Sequence, residues 1–113
     1  EGGGAMTKFA IFFTFTGATV KRLIDHPSDR AAAVAATCES AGGRLVAYYL
    51  MFGAWDGFII IEVPDSRSAA AVSLAVSSTG ALDRLETHEL VEPDDLAGIL
   101  AQAGSLTYSP PGA

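Results

Sequence analysis

Residues 44–64 read RLVAYYLMFGAWDGFIIIEVP, and this stretch decides the fold. Two short runs rich in aromatic and β-branched side chains, Arg44 to Phe52 and Phe58 to Val63, flank a loop that begins and ends in glycine, Gly53 and Gly57. Strands so spaced form a β-hairpin. Pro64 ends the second strand, because proline has no amide to give to a ladder. Successive side chains of a strand point to opposite faces, and both strands are apolar in both directions. The sheet they belong to needs cover on two sides.

Working upstream, Lys8 to Thr16 (KFAIFFTFT) is a third strand, with Phe9, Ile11, Phe13 and Phe15 facing one way and Ala10, Phe12 and Thr14 the other. Gly17 to Thr19 is expected to turn the chain, Val20 to Asp25 to make a short helical turn, and His26-Pro27 to end it. From Ser28, as N-cap, a helix should run to Ala41, with Asp29 in its first turn and Ala31, Val34, Ala35, Cys38 and Ala41 as its apolar stripe. Gly42-Gly43 stops it. Downstream, Asp65-Ser66 caps a second helix from Arg67 to about Ser77, and Ala81 to Val91 is a fourth strand. Glu92 to Asp95 begins a last short helix with Leu96, Ile99 and Leu100 on one side.

This order predicts an α+β fold, the ferredoxin-like βαββαβ plait: a four-stranded antiparallel sheet with two helices on one face. The other face then carries apolar side chains with nothing over them. About six such side chains left in water would forgo roughly 1.5–3 kcal/mol each, a sum of the order of a domain's whole stability. The reading is therefore a homodimer packed sheet face to sheet face; the alternative is that the C-terminal helix folds over the open face. Residues 1–5 read as an added leader ahead of Met6, residues 6–103 as a single domain, and residues 104–113, rich in Gly, Pro and Ser, as a flexible tail.

Composition narrows the partners. With 13 acidic and 7 basic residues the net charge is −6, and the basic residues are scattered, which argues against nucleic acid. No apolar run is long enough for a transmembrane helix, and no basic-then-apolar leader opens the chain. One cysteine, Cys38, allows neither an intrachain disulfide nor a Cys-rich metal site. It fits a reducing compartment, so a cytoplasmic location is expected. There is no phosphate-cradling glycine loop, nucleophile elbow, zinc signature or dinucleotide fingerprint; no metal and no cofactor is expected.

At this point the chain resembles the GYD-domain family, small proteins among the dimeric α/β barrels. The resemblance rests on the early aromatic strand, Asp29-Arg30, and Ala41-Gly42-Gly43-Arg44. It continues through Ala47-Tyr48-Tyr49-Leu50, Gly53-Ala54-Trp55-Asp56, Ile60-Ile61-Glu62-Val63-Pro64-Asp65, Leu85-Glu86-Thr87 and a Pro-led final helix. Gly53 and Asp56 match the glycine and aspartate of the family's name, and Trp55 replaces its tyrosine, keeping the bulk and losing the hydroxyl. The family's structural relatives include cofactor-independent monooxygenases, isomerases, haem enzymes and stress proteins. The resemblance therefore implies a pocket rather than one reaction.

The residues offer these chemical groups. His88 stands two residues from Glu86 on one strand face, the spacing for a histidine general base oriented by a carboxylate; Glu89 is a second possible partner. Tyr48 and Tyr49 point to opposite faces, one under the helices and the other toward the dimer side. Trp55 and Asp56 either line a cavity mouth or merely shape the turn. With Phe13 these aromatics would hold a flat substrate. His26 reads as a surface residue, and Cys38 as a buried, inert thiol. The expected function is a small-molecule-binding homodimer, with catalysis left open: as an enzyme it would act without a cofactor on an aromatic or polyketide-like substrate by proton transfer or oxygenation. The alternatives are a non-catalytic dimer module and a haem protein ligated by His88.

Overall fold

A computed structural model describes residues 5–112. Four strands, β1 (Thr7–Phe15), β2 (Arg44–Leu50), β3 (Gly57–Val63) and β4 (Leu82–Glu89), form one antiparallel sheet in the order β2-β3-β1-β4. The helices are α1 (Gly17–Asp25), α2 (Arg30–Ser40), α3 (Ser66–Ser77) and, after a 3-10 turn at Pro93–Asp95, α4 (Leu96–Ser105). This is the α+β plait expected from the hairpin, with one more full helix than expected. Of residues 1–5, the expected leader, only Ala5 lies among the described residues.

The extra helix has a local cause. Gly17 to Thr19, expected as a turn, are the first residues of α1, because the Thr16 hydroxyl accepts the Thr19 amide at 3.2 Å and caps the helix there. The cap of α2 falls on Asp29, not Ser28: its Oδ1 accepts the Ala32 amide at 3.0 Å. A carboxylate caps as well as a hydroxyl and adds charge complementarity to the helix dipole. Asp65 caps α3 in the same way, accepting from the Ser68 amide at 2.8 Å, and this bond together with the Ser68 hydroxyl holds its carboxyl below the ordinary range.

The core lies between the sheet and α2–α3. Phe9, Ile11, Phe13, Ile59, Ile61 and Val63 from the sheet meet Cys38, Ala69 and Val72 from the helices, and all are buried. Cys38 is fully buried, and burial first, then the neighbouring Glu39, pushes its thiol pKa up. It is chemically quiet. The alternate residues occupy the opposite sheet face. There α4 gives no cover: none of its residues is buried, and Leu96, Ile99 and Leu100 are all exposed. The uncovered face is a property of the single chain.

That face carries a row of rings. Cross-strand register places Tyr49 opposite Phe58 and Phe58 opposite Phe12. Successive ring centroids lie 5.6 Å apart in near-parallel stacks, a spacing that favours aromatic pairing. Trp55 and His88 flank Phe12, each with its ring 5.9 Å away.

Candidate functional site

The chemistry-bearing residues divide between the two faces of the sheet. On the helix side, α1, α2 and α3 stand off the sheet far enough to leave a cavity of about 370 Å³, within the range of small-molecule sites. Its floor is Ile11, Phe13 and Ile59 from the sheet, and its walls include Val34 of α2 and Val72 and Val76 of α3. Ala33 and Ala75, both exposed, line its helical rim.

Polar groups enter this cavity at a few points. Tyr48 comes from β2, where its partner Ile59 is a floor residue. Its pKa is raised, chiefly by burial, against which the Arg30 guanidinium pulls down. Tyr48 is therefore a protonated phenol that can donate a hydrogen bond into the cavity. Ser73 of α3 donates to or accepts from Thr87 of β4 at 2.8 Å and reaches the Ala69 carbonyl at 2.9 Å, so it is already satisfied. Arg22, His26, Ser28 and Arg30 line the cavity where α1 passes into α2.

Of the residues singled out from the sequence, Phe13 and Tyr48 line the cavity. Tyr49, 60 % exposed, belongs to the ring row on the uncovered face. His88 and Glu86 are also on that face, with Nε2 and Oε1 2.7 Å apart and both side chains more than half exposed. The sheet therefore separates the His88–Glu86 pair from the cavity. Among the described residues no group of three His, Cys, Asp or Glu side chains is placed to hold a metal ion.

Trp55 and Asp56 tie the β2–β3 loop to the rest of the sheet. The Asp56 amide donates to the Phe13 carbonyl at 2.9 Å, and its Oδ2 accepts the Phe15 amide at 2.7 Å. This clamp sits where β1 and β4 change register, between Thr14 and Phe15. The Arg84 guanidinium lies over the Trp55 ring, 4.3 Å from its centroid, and donates to the Ala54 carbonyl, a cation–π contact on the open face. Gly53 adopts a φ of 137°, which only glycine tolerates without strain. Removing the clamp in Asp56→Ala leaves the Phe15 amide without its charged acceptor. The expected loss is about 1.5–3 kcal/mol in chemical denaturation, with a smaller loss in Asp56→Asn; equal stability of Asp56→Ala and parent would show that the clamp contributes nothing.

The sequence reading missed the group formed by Arg22, His26 and Arg30. Arg22 and His26 stand four apart at the end of α1, but Pro27 separates them from Arg30 on α2, so their spacing does not mark all three as neighbours. The available signal was compositional: three cationic-type side chains within nine positions, bounded by an acid-rich chain.

A four-stranded antiparallel plait with a ligand-sized cavity under its helices and an apolar face left open is the class of protein that these features define. The chain belongs to the GYD domain family, whose family model matches residues 9–100. No curated protein matches it. Among solved structures it is similar to an uncharacterized NIPSNAP-like domain protein from Burkholderia xenovorans, with 13% identity over 95% of this chain and 90% of that one and a TM-score of 0.48. It is also similar to a dimeric ferredoxin-like protein from an uncultured marine organism, with 10% identity, 81% and 93% coverage and a TM-score of 0.43. MupZ from Pseudomonas fluorescens is a third, with 14% identity, 97% and 98% coverage and a TM-score of 0.42. Among the described residues no helix is long and apolar enough to cross a membrane.

Proposed function

We propose that this protein is a small-molecule-binding homodimer, which takes an apolar or aromatic ligand into the cavity between its sheet and helices. The observation that carries this reading is the cavity itself: an apolar space of ligand size, into which a protonated Tyr48 projects. Phe13 and Phe15, whose rings meet at 5.3 Å, give a flat molecule an aromatic wall. Tyr48 is the group placed to donate a hydrogen bond, or a proton, to an oxygen of that molecule. In this reading His88 and Glu86 act on the other face of the sheet, at the junction of two copies. A general-base role for His88 requires a substrate bound there instead.

The same reading assigns the uncovered face to the dimer. Its ring row is an apolar patch that the single chain leaves open, and self-association is the simplest way to cover it. A non-catalytic dimer module shares this feature, and occupancy of the cavity separates the two readings.

The test is ligand binding with a blocked cavity. Naphthamide, a neutral bicyclic probe, is expected to shift the methyl resonances of Ile59 and Val72 in NMR titrations. Val76→Phe fills the space and should weaken binding about tenfold or more, for a folding cost of about 1–3 kcal/mol. Ala33→Phe, at an exposed position on the rim, serves if Val76→Phe does not fold. Unchanged affinity in a folded variant, or shifts confined to Phe12 and Phe58, would sink the cavity reading.

A further inference from the structure

We propose that the cavity selects an organic anion: an aromatic or apolar body carrying a carboxylate, seated with its charge between Arg22 and Arg30 at the α1–α2 junction. This inference rests on the cavity reading above and adds the chemistry of the ligand.

Charge distribution is the first support. The chain is acidic overall, with 13 carboxylate side chains against 7 basic ones. The cavity lining reverses that balance: it includes Arg22, Arg30 and His26, and no Asp or Glu. An apolar cleft with one sign of charge at its mouth concentrates ligands of the opposite sign.

The state of the two arginines is the second. Among the described residues the ion pairs are Lys8–Glu92, Lys21–Asp25, Arg44–Glu62 and His88–Glu86. Neither Arg22 nor Arg30 is in one. The acids nearest in sequence are otherwise engaged: Asp25 holds the Lys21 Nζ at 3.1 Å, and Asp29 spends Oδ1 on the Ala32 amide at 3.0 Å. Asp29 faces a shallower groove that adjoins the cavity and shares Arg30, Tyr48 and Phe15 with it.

Position is the third. Arg30 acts electrostatically on the Tyr48 hydroxyl, so its charge reaches the polar group that projects from the floor. The remaining lining, Leu23, Val34, Val76, Leu82 and Leu85 among it, has no charge. The cavity is therefore amphipathic along its length, cationic at the α1–α2 end and apolar along the sheet. Arginine suits this task because its planar fork meets a carboxylate with two parallel hydrogen bonds.

The experiment compares naphthoic acid with naphthamide, which has the same rings and no charge, by calorimetry at neutral pH. The parent protein is expected to bind naphthoate about tenfold more tightly or better, with the difference shrinking as salt is raised. Arg22→Gln and Arg30→Gln combined should abolish the preference by weakening naphthoate alone. Both side chains are exposed, so the fold should survive, which circular dichroism checks. Equal affinity of acid and amide for the parent overturns the anion preference and leaves the cavity reading standing. So does a double variant that keeps the parent's preference, or that loses affinity for both probes alike. Failure of both probes to bind overturns the cavity reading and this inference together.

Discussion

Phe58→Asp is expected to leave a folded monomer under conditions in which the parent is expected to sediment as the proposed dimer. Phe58 is the middle ring of the row on the uncovered face, stacked on Phe12 to one side and Tyr49 to the other at 5.6 Å. In the single chain its outer side meets no helix, so an aspartate there is solvated and the plait loses only the ring stacking. In a face-to-face dimer the same carboxylate would be desolvated within the ring row, on a face that also carries Arg84, over the Trp55 ring, and His88, bonded to Glu86. Central aromatic anchors of interfaces are worth about 2–4 kcal/mol, and desolvating a carboxylate adds its own penalty. The dissociation constant should rise by about a hundredfold or more, read by analytical ultracentrifugation at micromolar concentrations. Tyr49→Asp, at the margin of the row, should act in the same direction with a smaller effect. A parent that is itself monomeric at those concentrations would remove the dimer from the proposed function.

Gly43→Ala should be the most damaging single-methyl change in the chain. Gly43 follows α2 and enters β2, with its amide donating to the Cys38 carbonyl at 2.9 Å. A Cβ there would collide with the backbone carbonyl oxygen of Glu62 and stand 2.9 Å from Cγ1 of the fully buried Val63. The obstacle is backbone and core, not a side chain that can swing aside. β2 would have to separate from β3 beside the rung where Arg44 pairs with Glu62. A loss of about 3–4 kcal/mol is expected, with the mechanism being overpacking against a paired strand. For a domain of this size that lowers Tm by roughly 12–32 °C. Gly42→Ala is the control: its φ is 84°, but the nearest atom to a new Cβ is a Pro64 ring carbon at an ordinary 3.5 Å. It should cost only the left-handed strain, about 1–2 kcal/mol. If the two variants melt together, the close approach at Gly43 is not what requires the glycine.

These expectations rest on features that were unequally visible in the sequence. The hairpin was legible because Gly53 and Gly57 bracket a loop between two runs that have no other use than as strands. The need for a second cover was legible because Phe12, Phe58 and Tyr49 fall on alternate positions from Phe13, Ile59 and Tyr48. The start of α1 was not, since Gly17 suggests a turn unless the capping hydroxyl of Thr16 is known to face Thr19. The cationic mouth was not, because Pro27 separates Arg22 from Arg30 and only the fold brings both into the lining of one cavity. For His88 the pattern of β4 separated Arg84, Glu86 and His88 from Leu85 and Thr87. It carried no sign of which set faces the cavity.

The two tyrosines illustrate a different limit, and it lies in β2. Its ladder with β3 runs Arg44 to Glu62 and Leu45 to Ile61, then resumes with Ala47 to Ile60 and Tyr48 to Ile59. Val46 is the residue passed over, a bulge of one. Were Val46 an ordinary rung, with Arg44 and Leu45 held in place, every later side chain of the strand would change faces. Tyr49 would then look into the cavity and Tyr48 out of it. The address of each hydroxyl is thus written in a valine that is neither of them. A lineage could exchange the tyrosine that lines the cavity for the one on the open face without altering either, by gaining or losing one unpaired position at the third residue of the strand.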